Sequence, residues 1–518
     1  MARTGNRNLW MLGAACAGLA AVAYADALHN PFVYDDRVTV AENASLRTPT
    51  NIRYLLGYSV FRPLVNLSYA ADYSLWGLDP FGYHLTSVAL HMANVALLFA
   101  LVWRMLSDLG APTPALAAVP AALFSVHPLM TEAVGYVAAR SEVLCGLFAL
   151  TAVLWARRAL LTLRARDAAL ATLALLLGLA AKELAAAVPI LVLAYDWLLL
   201  PATPDVRRRR AWRVHAPLWA IVAVGAVARV VVFELLEPAK DVSIEQNLLV
   251  QVAVFWRYLG ILLWPRGQSI VHEFSEVPGG LHLPTLASAA AIAVLVVYAV
   301  KLRQRAPLFL CGVIWLVATL APSSVFPLSE AMAEHRMYLP SIGCFLGALA
   351  ALNALGDRVR PVHVAIGLVP VVAILMTLTV MRNRVWSNPL LLWQDATEKS
   401  PSIYATHYAL GDEYRLLGDC KSAIVEYQVA TALRPDLDGA WLNLGICRAQ
   451  THDFAGARHA FERARAIDPH RPTAPYNLGL LAEMRGDLAE ARRQFEATLA
   501  LDPAHERARA RLHALEGK

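Results

Sequence analysis

Two adjacent carboxylates, Asp35 and Asp36 in the stretch NPFVYDDRV, stand a few residues beyond the first apolar run of the chain. A carboxylate in that position can take a proton from a hydroxyl. Sequence neighbours cannot both aim at one atom from a regular helix or strand, so one of the two is expected as the base and the other as a local orienting group. Further ionisable residues recur at the ends of later apolar runs. They are Arg62 in FRPL; His127, Glu132, Arg140 and Glu142 in HPLMTEAVGYVAARSE; Lys182 and Glu183 in AAKEL; and Glu330, Glu334, His335, Arg336 and Tyr338 in SEAMAEHRMYLPS. In such a set the acids can act as bases and the cations can hold a phosphate. Each also has a structural reading: a carboxylate pair past a helix end is commonly a cap, and Lys182 with Glu183 can be an ion pair at a tight hairpin. His91 on an apolar helix face reads as a packing residue, and Asp196 reads as structural. Only their convergence on one side of a membrane favours chemistry.

A membrane is what the composition calls for. Of 518 residues, 58% are hydrophobic and only 17% charged, with a mean hydropathy of +0.46, above the apolar share of soluble domains. The net charge of +6 does not point to nucleic acid, because the arginines lie in short clusters between apolar runs. The six cysteines show no CxxC pair and no zinc-ligand spacing. Apolar runs occur near 9–28, 84–106, 115–127, 137–156, 168–181, 184–200, 214–233, 248–264, 284–300, 307–321, 340–355 and 361–381, and the first reads as a retained helix rather than a cleaved signal.

Arginine clusters at 157–166, 207–213, 301–305 and 358–360 belong on the cytoplasmic side by the positive-inside rule. Alternation from Arg3 and Arg7 then requires the run 248–264, with its internal Arg257, to be re-entrant or interfacial. About eleven spans result, with the N-terminus inside and the C-terminus outside. A plain twelve-span count would put the tail in the cytoplasm. On the first topology the candidate residues, and a long outer loop over 30–82, share the non-cytoplasmic face.

Beyond residue 401 the sequence becomes polar and periodic. Gly411, Gly445 and Gly479 are spaced by 34 residues, as are Tyr427, Phe461 and Phe495, and also Pro435, Pro469 and Pro503. This is the tetratricopeptide (TPR) spacing. The domain reading is a membrane domain over 1–385, a linker over 386–400, and three repeats with a capping helix over 401–518. Tyr414, Trp441, Asn443 and Asn477 are the candidate partner-binding residues of the stack. Cys420 and Cys447 sit where a bridge could form in an oxidising compartment.

The stretches FVYDD, FRPLVNLSY, GYHLTSVALHMANVALLF, HPLMTEAVGYVAARSEVL, AKELAAAVPILVLAYDWL, RYLGILLWP, AEHRMYLPSIG and RNRVWSNPLLLWQDA, followed by the repeats, resemble the transmembrane and tetratricopeptide-repeat-containing O-mannosyltransferase-like family and its bacterial relatives. The resemblance implies an all-α chain with a C-type glycosyltransferase-like bundle and a TPR solenoid. It also implies transfer of a hexose such as mannose from a polyprenyl-phosphate donor to a hydroxyl, with Ser or Thr of a protein as acceptor. Asp35 or Asp36 inherits the base role. Arg62, Arg140, Lys182, Arg257 or Arg336 inherits the lipid phosphate, with His127, Glu132, Glu142, Glu183, Glu334 and Tyr338 in the same donor region.

No essential metal is expected, although two aspartates can bind a divalent ion, since cations can neutralise a lipid monophosphate. The expected setting is a bacterial inner membrane with the repeats on the periplasmic side, where they recruit the acceptor or another protein partner. Two rivals stand beside this. One is an O-antigen-ligase or polymerase-like transferase, whose large outer loop would come late in the chain. The other is a non-catalytic membrane-anchored TPR scaffold, which needs neither Asp35 nor many spans.

Overall fold

The structure, a computed structural model, describes residues 2–236, 244–274, 282–325, 330–355 and 360–516. The described residues are helical, with no strand among them. The chain divides into two compact units, Met1–Ile270 with Phe274–Asn388 and Val271–Glu273 with Pro389–Lys518.

Among the described residues of the first unit, seven helices are long and apolar enough to cross a membrane: Pro80–Asp108, Val137–Thr162, Pro204–Arg229, Ile244–Leu263, Leu283–Lys301, Pro307–Val325 and Val362–Trp386. The pair Pro114–Val126 and Pro128–Gly135, bent by 53°, makes up to eight. The expected count of about eleven also drew on shorter apolar helices. Among these are Ala165–Ala181 with 17 residues, Val188–Leu199 with 12 and Pro340–Ala354 with 15. At about 1.5 Å per residue these are shorter than a typical hydrocarbon core.

The run read as re-entrant or interfacial is one continuous 20-residue helix, Ile244–Leu263, long and apolar enough to cross a membrane. Arg257 lies within its last two turns, where a long cationic side chain can reach an interface. The bent element falls at His127, where Pro128 ends one helix and begins the next short turn.

Proline at the first helical position starts Pro63–Trp76, Pro80–Asp108, Pro114–Val126 and Pro340–Ala354, where its missing N–H has no intrahelical partner to lose. The expected outer loop over 30–82 is itself folded: it contains the helices Ile52–Tyr58 and Pro63–Trp76 and several single turns. Asn66 holds it together, its side chain reaching Asn43 at 2.9 Å, Ser45 at 3.1 Å and the Leu55 carbonyl at 2.7 Å.

Elsewhere the helices close on small residues. A Cβ on Gly312 would lie 2.5 Å from the Gly343 carbonyl oxygen, and one on Gly343 would lie 2.4 Å from that of Gly312. The helices Pro307–Val325 and Pro340–Ala354 therefore touch backbone to backbone, as membrane helices do at glycine.

One end of the unit is tied by arginines. Asp108 bonds Arg157 at 2.5 Å and Tyr195 at 2.6 Å; Asp196 bonds Arg210 at 2.6 Å and His215 at 3.0 Å. Asp196 thus has the structural place read for it, and two of the arginine clusters expected on the cytoplasmic side meet at this end. Arg358, in another cluster, lies outside the described residues.

In the second unit, helices pair through the repeat. A Cβ on Gly411 would meet the Tyr427 ring at 2.8 Å, on Gly445 the Phe461 ring at 2.5 Å, and on Gly479 the Phe495 ring at 2.6 Å. Each aromatic is fully or almost fully buried, so the 34-residue period repeats one glycine-on-ring contact. Asp419, Asp453 and Asp487 cap the second helices by accepting from Ser422, Gly456 and Glu490 backbone N–H groups. The segment read as a linker is helical over Pro389–Lys399, because Leu392, Trp393 and Ala396 form a buried stripe. Cys420 and Cys447 are free thiols with their sulfurs 2.9 Å apart.

Candidate active site

The opposite end of the membrane unit gathers the sequence motifs, and its geometry separates the two aspartates. Asp36 is fully buried. Its Oδ1 accepts the Ala138 backbone N–H at 2.7 Å and its Oδ2 accepts that of Val33 at 3.2 Å. It therefore pins the first loop to the 127–140 connection. Asp35 is exposed. Tyr34, at φ 50°, turns the backbone through the left-handed region, which costs a non-glycine residue about 1 kcal/mol or more. Burial pushes the Asp36 carboxyl up to about 7 against the pull of the Val33 and Ala138 N–H groups. Partial burial also raises Asp35, and a hydrogen bond from Tyr136 opposes that shift.

Tyr136 is the hub of this corner. Its hydroxyl accepts the Asp35 backbone N–H at 3.1 Å. Its ring stacks on Tyr34 at 6.2 Å and on Trp386 at 5.4 Å, and Arg382 lies over Trp386 at 5.9 Å. The Tyr34 hydroxyl reaches Glu330 at 3.4 Å. Burial raises Glu330 to about 7, with the Glu132 charge adding and Arg336 opposing.

Around this corner lies a packed polar scaffold. Glu132 accepts the Glu334 backbone N–H at 2.9 Å and bonds His335 Nδ1 at 2.5 Å. Burial first, and then the Lys182 cation, hold His335 well below its usual range. Glu334 accepts from the Gln268 side chain and the Ser269 backbone, both at 2.8 Å. Arg336 donates to the Glu330 carbonyl at 2.9 Å.

Several of the donor-region candidates sit within this scaffold. Arg140 is fully buried and bonds Asp72 at 2.5 Å and the Tyr83 carbonyl at 2.7 Å, with Tyr69 beneath it at 4.8 Å. Lys182 and Glu142 form a buried ion pair. His127 accepts the Leu129 N–H at 3.1 Å and contacts the Leu262 carbonyl at 2.9 Å. The Tyr338 hydroxyl bonds His91 at 2.8 Å and Asn94 at 2.9 Å inside the bundle, which makes His91 the packing residue its sequence implied.

The cations with spare hydrogen-bonding capacity are different ones. Among the described residues, the guanidiniums of the half-buried Arg62 and the exposed Arg257 make no hydrogen bond or ion pair. Arg229, absent from the sequence candidates, lies over the Phe61 ring at 4.7 Å, beside Arg62 in the chain. Burial raises the Glu183 carboxyl, but the Lys182, Arg62 and Arg229 charges outweigh it and hold the group below the usual range. Among the described residues, no group of three or more His, Cys, Asp or Glu side chains could hold a metal ion.

Sequence reasoning missed Tyr136, Asp72 and Arg229. Tyr136 stood inside a quoted motif but is aromatic rather than charged; Asp72 lies in the 30–82 segment outside the quoted motifs, and Arg229 lies within an apolar run, where an intramembrane charge was itself the available signal.

In the repeat unit, Trp441 donates to the Pro435 carbonyl at 3.0 Å and Asn443 donates to Asp412 at 2.8 Å. Tyr414 accepts from Gln394 at 3.0 Å, and Asn477 is half-buried. Three of the four candidates thus brace the stack.

The tetratricopeptide repeat family matches residues 408–472 and 442–506. A fruit-fly (Drosophila melanogaster) protein, Protein O-mannosyl-transferase Tmtc1, is 33% identical over 186 residues, covering 33% of this chain and 21% of that protein. The human (Homo sapiens) Protein O-mannosyl-transferase TMTC1 is 24% identical over 507 residues, covering 84% of this chain and 56% of that protein. The likeness is to a TPR-containing, O-mannosyltransferase-like family. This chain spans about half or less of the length of these curated relatives. The human O-mannosyltransferase alignment covers 84% of this chain, more than either unit alone contributes, so the likeness extends over parts of both. The described residues include helices long and apolar enough to cross a membrane, and the relatives matched are named as O-mannosyl-transferases.

Proposed function

We propose that this chain is a membrane glycosyltransferase that moves a hexose, mannose first among candidates, from a polyprenyl-phosphate donor to a Ser or Thr hydroxyl of a protein. The reaction runs on the non-cytoplasmic face, the periplasmic side of a bacterial inner membrane. One observation carries the reading: of two adjacent aspartates, Asp36 is spent on backbone N–H groups while Asp35 is exposed and held at its backbone by a buried tyrosine. Asp35 takes the proton from the acceptor hydroxyl as its oxygen attacks the anomeric carbon. The bond from that carbon to the phosphate oxygen breaks, and its electron pair leaves with the lipid phosphate.

Arg62 and Arg257, which have hydrogen-bonding capacity to spare, hold that phosphate. Arg140, Lys182, Glu142, Glu132, Glu334, His127 and Tyr338 keep the helix ends in place. The repeats raise the local concentration of the acceptor protein. Cations aimed at a departing phosphate stabilise charge that develops only in the transition state.

The test is transfer of radiolabelled mannose from polyprenyl-phosphate mannose to a Ser/Thr peptide by the full chain in liposomes. Asp35→Asn should lower kcat by about 10²-fold or more, and Arg62→Ala should raise the donor KM by about tenfold with less effect on folding. Wild-type transfer by Asp35→Asn would rule out the base assignment.

A further inference from the structure

Catalysis by a carboxylate needs the group held in one orientation and one protonation state, and an exposed aspartate on a loop ordinarily has neither. Around Asp35 the structure supplies both from a single buried residue. Tyr136 is 4% exposed and is clamped between the Tyr34 and Trp386 rings at interplanar angles of 23° and 29°, so its ring has no room to turn aside. Its hydroxyl meets the Asp35 backbone N–H at 3.1 Å. A phenol oxygen that accepts from an N–H still has its own hydrogen to donate, and the carboxylate of Asp35 belongs to the residue whose N–H the phenol already holds.

We propose that Tyr136 is a positioning residue for Asp35, accepting from its backbone and donating to its carboxylate, so that the base is both aimed and kept ionised. This rests on Asp35 being the base of the proposed transfer. The Tyr34 backbone turn at φ 50° and the Asp36 anchor on Ala138 bring the two groups together. No other hydroxyl contacts the Asp35 N–H among the described residues.

The titratable and charged groups around Asp35 include Tyr34, Asp36 and Arg37 on its own loop, Tyr136 and Glu132 on the 127–140 connection, and Glu330 with Arg336 at the 330–337 segment. Burial disfavours ionised Asp35, and the Tyr136 hydroxyl opposes that shift. A hydrogen bond donated to a carboxylate lowers its pKa, so losing the bond raises it. A base works only when ionised, so the acid limb of the rate profile moves with that pKa.

The experiment uses the full chain in lipid nanodiscs with two readouts. The first is the Asp35 carboxyl titration by infrared spectroscopy, taken as the difference between wild type and Asp35→Asn. The second is the pH profile of mannose transfer from polyprenyl-phosphate mannose. Tyr136→Phe keeps the ring stack and should move the titration and the acid limb up by about one pH unit. 3-Fluorotyrosine at position 136, a stronger donor of the same shape, should move both the opposite way, while the donor KM stays unchanged. If Tyr136→Phe fails to fold, the fluorotyrosine shift alone decides. An unmoved carboxyl titration in either variant overturns the proposal. A moved titration combined with normal transfer by Asp35→Asn would instead overturn the base assignment and leave the tyrosine contact standing.

Discussion

Asp36→Ala gives the sharpest division of labour between the two aspartates. The substitution leaves the Ala138 N–H, now bonded at 2.7 Å, and the Val33 N–H, now bonded at 3.2 Å, without their acceptor. Each buried N–H left unmade costs about 1–3 kcal/mol, so the full loss for the two at pH 5.5 should be about 2–6 kcal/mol. The pH dependence has a definite sign. Asp36 in the folded chain is pushed by burial up to about 7, well above an unfolded aspartate. Its protonated form is thus favoured by folding, and that stability is complete below about pH 4 and lost as the pH rises through 7.

Between pH 5.5 and 7 the wild type forfeits about 1.4 kcal/mol per pH unit, roughly 2 kcal/mol in all. The cost of Asp36→Ala should shrink by a similar amount at pH 8. Equilibrium unfolding in detergent at the two pH values measures this, with transfer activity assayed alongside. Asp35→Asn should show the converse, normal stability and lost transfer. The reasoning fails if Asp36→Ala unfolds like wild type at pH 5.5, or if its penalty grows rather than shrinks at pH 8.

Three further outcomes are expected. Glu142→Gln removes one partner of a buried ion pair with Lys182 and should destabilise by about 3–5 kcal/mol, while Glu142→Leu combined with Lys182→Met recovers part of the loss; unfolding midpoints in nanodiscs distinguish a structural pair from a donor-binding one. Gly445→Ala drives a methyl to 2.5 Å from the Phe461 ring and should loosen the middle repeat by about 1–3 kcal/mol, seen as faster hydrogen exchange there and relieved by Phe461→Leu. Glu330, raised to about 7 by burial, likewise favours its protonated form in the fold. Glu330→Gln should therefore stabilise the chain at pH 8 by up to ~3 kcal/mol and change little at pH 4, in thermal unfolding followed across that range.

Much of the architecture was legible because its signals are local. Apolar run length, proline at helix starts and a 34-residue glycine and aromatic period report on segments of one helix or one repeat, where neighbours in sequence are neighbours in space. The helix Pro389–Lys399 was less legible, since its buried stripe of Leu392, Trp393 and Ala396 is short and follows a long apolar run. The span count was not settled by periodicity either. Val188–Leu199 buries Leu191, Val192 and Tyr195 but exposes Ile190, Leu193 and Trp197, and a hydrophobic residue reads the same whether it faces lipid or a neighbouring helix.

The site divides in the same way. Sequence alone determined which motifs hold ionisable groups and that an adjacent aspartate pair could supply only one base. Which aspartate is free was a tertiary decision. Asp36 turns inward because Val33 and Ala138, the latter 102 residues away, present N–H groups to it, and no local pattern encodes that meeting. The same holds for Arg140, spent on Asp72, and for Tyr136, whose hydroxyl becomes important only beside Asp35. Charge and residue type are properties of the chain, whereas whether a charged group is spent or available depends on partners that only the packed helices bring within 3 Å or so.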